Sequence, residues 1–220
     1  TAFFIALQIM SNHVQMSYYF LFVILFIAGA YFEDAWRNKT LPRFFKASAV
    51  LLVAAFIGVA ANLSNLYHTY TYSKETMRGK SELVQTGDAA KQTSSGLDRD
   101  YITNWSYGIG ETWTLLVPNF KGGSSSAPLS QSETAMEKAN PMYGSLYNSF
   151  PQYFGSQPWT AGPVYVGAFV LFLFVLGCFI VKGPLKWALL GATFFSIVLA
   201  WGKNFMPLTD FFIDYVPMYN

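Results

Sequence analysis

The chain has 220 residues, of which 53% are hydrophobic, 19% aromatic and 12% charged, and its formal net charge is +2. A soluble domain carries about 25% charged residues, so there are too few charges here to cover a water-soluble protein of this size. The small, dispersed positive charge also excludes the clustered basic face that nucleic-acid binding needs, and nucleic acid is not an expected partner.

Apolar residues gather into four blocks, Met16 to Phe32, Phe44 to Leu63, Val164 to Val181 and Trp187 to Trp201. Each approaches the roughly 20 residues that cross about 30 Å of hydrocarbon. The expected fold class is therefore all-α and membrane-embedded: a polytopic transmembrane helix bundle with a long, mixed extracytoplasmic loop segment. Ahead of the first block, Thr1 to Ile9 is apolar with no basic region before it, unlike a signal peptide. Together with the ending at Val216-Pro-Met-Tyr-Asn220 this predicts an excerpt of a larger protein, entered at the end of a helix. A single helix from Thr1 to Phe32 would be about 48 Å long, and Ser11-Asn12-His13-Val14-Gln15 interrupts it, so a turn at the membrane surface is expected there.

Arg37, Lys39, Arg43 and Lys46 fall in the loop 33–46, and Lys182-Gly-Pro-Leu-Lys186 joins the last two blocks. Short loops rich in Lys and Arg stay in the cytoplasm. The Asn12-His13 turn, residues 67–162 and the tail 202–220 then lie outside. This divides the chain into membrane helices at 1–66, an extracytoplasmic segment at 67–162 packed on the membrane face, two spans at 163–201 and a second outer segment at 202–220. The expected location is a bacterial cytoplasmic (inner) membrane, with membrane lipids as partners.

The outer segment is too long for a plain connection and too aromatic for a disordered linker. Tyr67 to Val84 carries helix formers and mixed charges, Gly87 to Leu97 and Gly122 to Gln131 read as loops, and Trp105 to Phe120 reads as a short strand or a helix lying on the interface. Trp159, Tyr165, Trp187 and Trp201 stand at span ends, as an aromatic belt predicts. Cys178, the single cysteine, allows no internal disulfide or cysteine-based metal site and reads as a small buried hydrophobe.

No nucleotide-binding glycine loop, zinc-type His/Glu spacing or nucleophile elbow is present, which leaves the polar groups at the outer membrane face. His13 and His68 end apolar spans, where a histidine acts as a general base, binds phosphate, or simply hydrogen-bonds a neighbouring loop. Tyr72-Ser-Lys-Glu-Thr-Met-Arg-Gly-Lys80 packs Lys74, Arg78 and Lys80 just beyond a span. Such a cluster suits a phosphate or pyrophosphate, and equally a solvated face turned to lipid headgroups. Lys203-Asn204 follows Trp201-Gly202, and Asp210 and Asp214 share one face if helical. Paired carboxylates serve as a general base or hold a metal on oxygen ligands, and helix-surface acids near a membrane are the commoner case. Glu111, in Tyr107-Gly-Ile-Gly-Glu-Thr-Trp113, is a further candidate acid with glycines beside it that let a ligand approach. No cofactor is called for, and a divalent metal is the one addition the carboxylates leave room for.

Ser73-Lys-Glu-Thr-Met-Arg-Gly-Lys-Ser-Glu82, Ser106-Tyr-Gly, Glu111-Thr, Val117-Pro-Asn119, Gly162-Pro-Val-Tyr-Val-Gly167 and Trp201-Gly-Lys-Asn-Phe-Met-Pro-Leu-Thr-Asp210 together resemble the YfhO family of bacterial membrane proteins, in its Bacteroidetes branch. That family is similar to the GT-C class of integral-membrane glycosyltransferases. The resemblance implies transfer of a sugar from a polyprenyl-phosphate carrier to a cell-envelope acceptor at the extracytoplasmic face. It carries no catalytic aspartate onto this stretch of chain. On the enzyme reading, Arg78, Lys80 and Lys203, with Lys74 and Asn204, bind phosphate, and His13, His68, Glu111 or Asp210 serve as acid, base or sugar-orienting groups. The competing readings are a transporter or flippase of envelope lipids, and a non-catalytic membrane scaffold subunit.

Overall fold

The computed structural model describes residues 1–11, 13–73, 75–76, 99–158, 165–217 and 219. Among these no strand forms, and an isolated antiparallel bridge pairs Pro128 with Pro151. The regular elements are α1 (Ala2–Met10), α2 (Val14–Arg37), α3 (Leu41–Ala60), α4 (Leu63–Ser73), α5 (Arg99–Thr103), α6 (Glu133–Glu137), α7 (Ala168–Ile180), α8 (Pro184–Ala200) and α9 (Met206–Tyr215), with several 3-10 turns between them. They fall into two compact units, Thr1–Leu97 with Ile180–Phe195, and Asp98–Phe179 with Ser196–Asn220.

In the first unit α1 ends at Met10 and α2 begins at Val14, on either side of the place where the polar run is expected to turn the chain. Beyond it α2 has 24 residues and α3 has 20, and an 18-residue stretch of each reaches a mean hydropathy of 1.7 and 1.8, so both are long and apolar enough to cross a membrane. Their apolar side chains point outward, with Leu52 70% and Phe56 75% exposed. Water would penalise such surface at about 25 cal/mol per Å², whereas hydrocarbon does not. These are the marks of a membrane protein. The connection between α2 and α3 is only Asn38 to Thr40, much shorter than the loop 33–46 read from the charges. Helix runs on into that charged stretch, where Glu33 and Arg37 pair at a four-residue spacing on α2. On the far side Pro42 occupies the first turn of α3, where its missing N–H costs nothing.

Small residues let the helices of this unit approach closely. A Cβ on Gly58 would lie 2.8 Å from Ala2 O and 2.9 Å from Ile5 Cβ, so α1 crosses α3 at backbone contact distance. Asn62, one turn on, donates its amide to Ala6 O at 3.0 Å and ties the same pair. Phe22 and Phe26 of α2 meet Phe195 of α8 with ring centroids 5.9 and 5.6 Å apart.

The second unit holds α7, with 13 residues and thus about 20 Å long. It is shorter than the block Val164 to Val181 suggests and shorter than a bilayer core. Among its exposed rings is Phe172, at 59%. Residues 121–129 run antiparallel to 150–154, joined by Phe154 N to Lys121 O at 2.8 Å, Gln152 N to Ala127 O at 2.9 Å and Leu129 N to Phe150 O at 2.7 Å. At the end of α8 the chain turns through 111° into the Gly202–Tyr215 segment. If that bent pair counts as one broken span, the candidate spans among the described residues number up to three.

Candidate functional site

The site is built where three stretches of the second unit converge: Trp105 to Leu115, Tyr153 to Gln157, and the bend after α8. At the bend, Tyr107 N–H donates to Ala200 O, the last carbonyl of α8, at 2.9 Å. Helix ends leave such carbonyls unsatisfied, and here the Tyr107 backbone closes one of them. The Ser106 hydroxyl donates to Thr103 O at 2.6 Å and accepts the Lys203 N–H at 2.9 Å. Asn204 donates its side-chain amide to Tyr107 O at 2.8 Å, Trp201 Nε1 donates to Thr112 Oγ1 at 2.8 Å, and Thr209 Oγ1 donates to Gly202 O at 2.8 Å. Gly202 sits at φ +43° with Ser106 Oγ 2.0 Å from where a Cβ would be, so no other residue fits this turn.

Glu111 lies in a 3-10 helix over Ile109–Leu115 and is 1% exposed. With three residues per turn, Glu111 and Thr114 share the buried face, while Ile109, Trp113 and Leu116 are exposed. Its carboxylate accepts from Gly108 N–H at 2.7 Å, Ser156 N–H at 2.6 Å and the Tyr153 hydroxyl. Burial first, and then donation to Glu111, push the Tyr153 phenol up to about 12. Tyr153 Oη also accepts Gln157 N–H at 3.3 Å, and Gln157 Nε2 donates to Trp105 O at 2.6 Å. The glycine that makes room is Gly155, where a Cβ would fall 1.8 Å from Glu111 Oε1. The opening a ligand would need is filled by the carboxylate itself and its donors. Thr114 Oγ1 is buried with no hydrogen-bond partner among the described residues.

Asp210 and Asp214 do share a face of α9, as their spacing implies. Both carboxylates go to Arg99, from Nη1 to Asp210 at 2.5 Å and from Nη2 to Asp214 at 2.5 Å. Arg99 escaped the sequence reading because it stands 111 residues from Asp210 and belongs to no motif. Tyr153, Ser156 and Gln157 escaped it likewise. The one signal for them was the density of polar and aromatic residues around Tyr153-Phe-Gly-Ser-Gln157.

The candidates divide between the two units. Glu111, Lys203, Asn204 and Asp210 belong to the second, where the first three meet the same segment, Ser106 to Thr112, Lys203 through its backbone N–H to Ser106. Lys203 is exposed and has no carboxylate within ion-pair distance among the described residues. Lys121 reaches that segment too, with its Nζ 3.4 Å from where a Cβ on Gly110 would sit. His13 and His68 lie exposed in the first unit, His13 at the start of α2 without capping it through its side chain, and His68 on α4 with its ring 5.8 Å from Tyr67. Lys74, Arg78 and Lys80 lie outside the described residues, as do Asn12, the stretch Gly87 to Leu97, Trp159 and Gly162. No group of three metal-ligating side chains occurs among the described residues.

No family model, no curated protein and no solved structure matches this chain. The functional reading therefore rests on the geometry and on the motif resemblance.

Proposed function

We propose that the chain is part of a polytopic, YfhO-like integral-membrane protein of the bacterial inner membrane. It handles a polyprenyl-phosphate-linked sugar at the extracytoplasmic face and transfers it to a cell-envelope acceptor in the manner of GT-C glycosyltransferases. The observation that carries this reading is the bend after α8. It sets an exposed cation, Lys203, and an amide, Asn204, at the end of an apolar helix, on a rigid hydrogen-bonded base. An anionic lipid headgroup arrives at that level of a membrane, and an ammonium binds phosphate as a point charge. Trp105 and Trp113, both exposed in the same segment, offer flat apolar faces of the kind on which sugars stack. Arg78, Lys80 and Lys74 are the further cations the sequence supplies.

A second reading, a non-catalytic scaffold, is favoured by the state of the carboxylates. Glu111 is enclosed and saturated by donors, and Asp210 is engaged by Arg99. On the enzyme reading this stretch contributes substrate binding, and the catalytic acid comes from elsewhere in the protein.

The test is binding of radiolabelled polyprenyl-phosphate sugar to the protein in lipid vesicles. Losing a charged contact worth about 1.5–3 kcal/mol weakens affinity about ten- to hundredfold, and that loss is expected for Lys203→Ala. Parental protein that binds no such lipid sinks the transferase reading and leaves the scaffold. The orientation has its own test. Cysteines placed at Asn38 and Gly183 should be shielded from an impermeant thiol reagent in intact cells and one at Ser125 labelled, and labelling at Asn38 would reverse the topology.

A further inference from the structure

We infer that the 3-10 helix at Ile109–Leu115, with the residues that follow it to Phe120, forms a membrane-surface wedge whose exposed apolar face lies in the lipid headgroup layer. Ile109 and Trp113 are 54% exposed, Val117 48% and Phe120 47%. Trp113 and Phe120 have ring centroids 6.4 Å apart and present one continuous apolar surface. From Ile109 to Phe120 the sequence holds one ionisable residue, Glu111, and that one is buried. Unlike a solvated loop, this stretch carries no exposed charge of its own, and the cation against it is Lys121, whose Nζ lies 3.4 Å from where a Cβ on Gly110 would sit.

What covers it follows from its fastenings. Tyr107 N–H bonds the last carbonyl of α8, Trp201 just beyond α8 bonds Thr112, and Val166 N–H, two residues before α7, bonds Leu115 O at 3.2 Å. Both ends of the 3-10 helix are thus pinned to the ends of apolar helices. If α7 sits in hydrocarbon, the Val166 bond holds the wedge at the level of that helix's end, at the depth where tryptophan is enriched. Lys121, the next residue after Phe120, supplies a cation at the rim, where anionic headgroups would meet it. A face that is apolar at its centre, rimmed by a cation and joined to spans matches a bilayer surface.

The inference rests on α7 lying in the membrane, and the experiment separates the two claims. In the full chain carrying Cys178→Ser and reconstituted in vesicles, nitroxide labels at Trp113→Cys, Leu116→Cys and Val117→Cys are compared with labels at Glu137→Cys as the aqueous reference and Phe172→Cys as the lipid reference. Leu116→Cys and Val117→Cys keep Trp113 in place, so a folding failure of Trp113→Cys leaves the test intact. The expected result is a several-fold lower collision rate with a water-soluble nickel chelate at the wedge than at position 137, and an oxygen collision rate between those of positions 137 and 172. Nickel accessibility equal to that at 137 overturns the wedge. So does shielding from both reagents, which would mean that a protein surface or a second copy covers it. A label at 172 that behaves as aqueous overturns the membrane placement of α7 and the wedge with it.

Discussion

Replacing Glu111 by glutamine tests whether the buried carboxylate is a structural knot. In the parent, one carboxylate oxygen takes Ser156 N–H at 2.6 Å and the Tyr153 hydroxyl, and the other takes Gly108 N–H at 2.7 Å. Glutamine keeps the shape but has one acceptor oxygen. If that oxygen serves Ser156 and Tyr153, the NH₂ faces the Gly108 N–H, donor against donor. The loss is one charge-assisted bond, about 2–3 kcal/mol, with no cavity to add. Hydrogen exchange reads it directly, because the amides of Gly108 and Ser156 are two of the donors. A 2–3 kcal/mol loss corresponds to roughly 30- to 150-fold faster exchange at Gly108, with Ser156 less affected. Tyr153→Phe should leave the Gly108 bond standing and loosen Gln157. Parental exchange at Gly108 in Glu111→Gln would refute the knot. Loss of lipid-sugar binding or transfer with exchange unchanged would make Glu111 a chemical participant.

The same knot has a pH signature. Tyr153 is held protonated in the fold to about 12, above the ordinary phenol value near 10. The folded state thus keeps a proton that the unfolded state gives up. Its stabilisation is complete below about 10 and is lost as pH rises toward 12. Thermal unfolding in detergent should show that fall in the parent and a shallower one in Tyr153→Phe. Thr114→Val removes a buried hydroxyl that has no partner among the described residues and should stabilise by about 1 kcal/mol; a clear loss in the melting midpoint would show that the hydroxyl has a role. Gly58→Ala drives a Cβ against Ala2 O and Ile5 and should cost about 1–3 kcal/mol. A melting midpoint equal to the parent's would mean that α1 does not cross α3 this closely.

What could be read from the sequence depended on how local its cause was. The helix boundary between Met10 and Val14, the apolar lengths of α2 and α3 and the shared face of Asp210 and Asp214 all follow from neighbours within a turn or two, and each is visible in the string. Glu111 was visible only as an acid between glycines, and that pattern suits an open ligand site as well as a crowded buried one. The difference lies in Tyr153 and Ser156, 42 and 45 residues away. Arg99 was invisible for the same reason. The charges between Phe32 and Ala47 are visible in the string; the continuation of helix through Glu33 and Arg37, which pair along it, and its resumption at Leu41 are not.

The bond from Lys203 N–H to Ser106 joins residues 97 apart, and that separation bears on how the protein is made. Closing a chain loop of that length costs about 4 kcal/mol of entropy by itself, which one hydrogen bond does not return. The Trp201 and Asn204 bonds and the Tyr107 backbone bond must therefore form with it as a group. A ribosome adds about 5–20 residues per second, so Ser106, Tyr107 and Thr112 wait on the order of 5–20 s for their partners to be translated. During that interval Ser106, Tyr107 and Thr112 lack the bonds they make with Ala200, Trp201, Lys203 and Asn204, and a chain cut short before Ala200 never gains them.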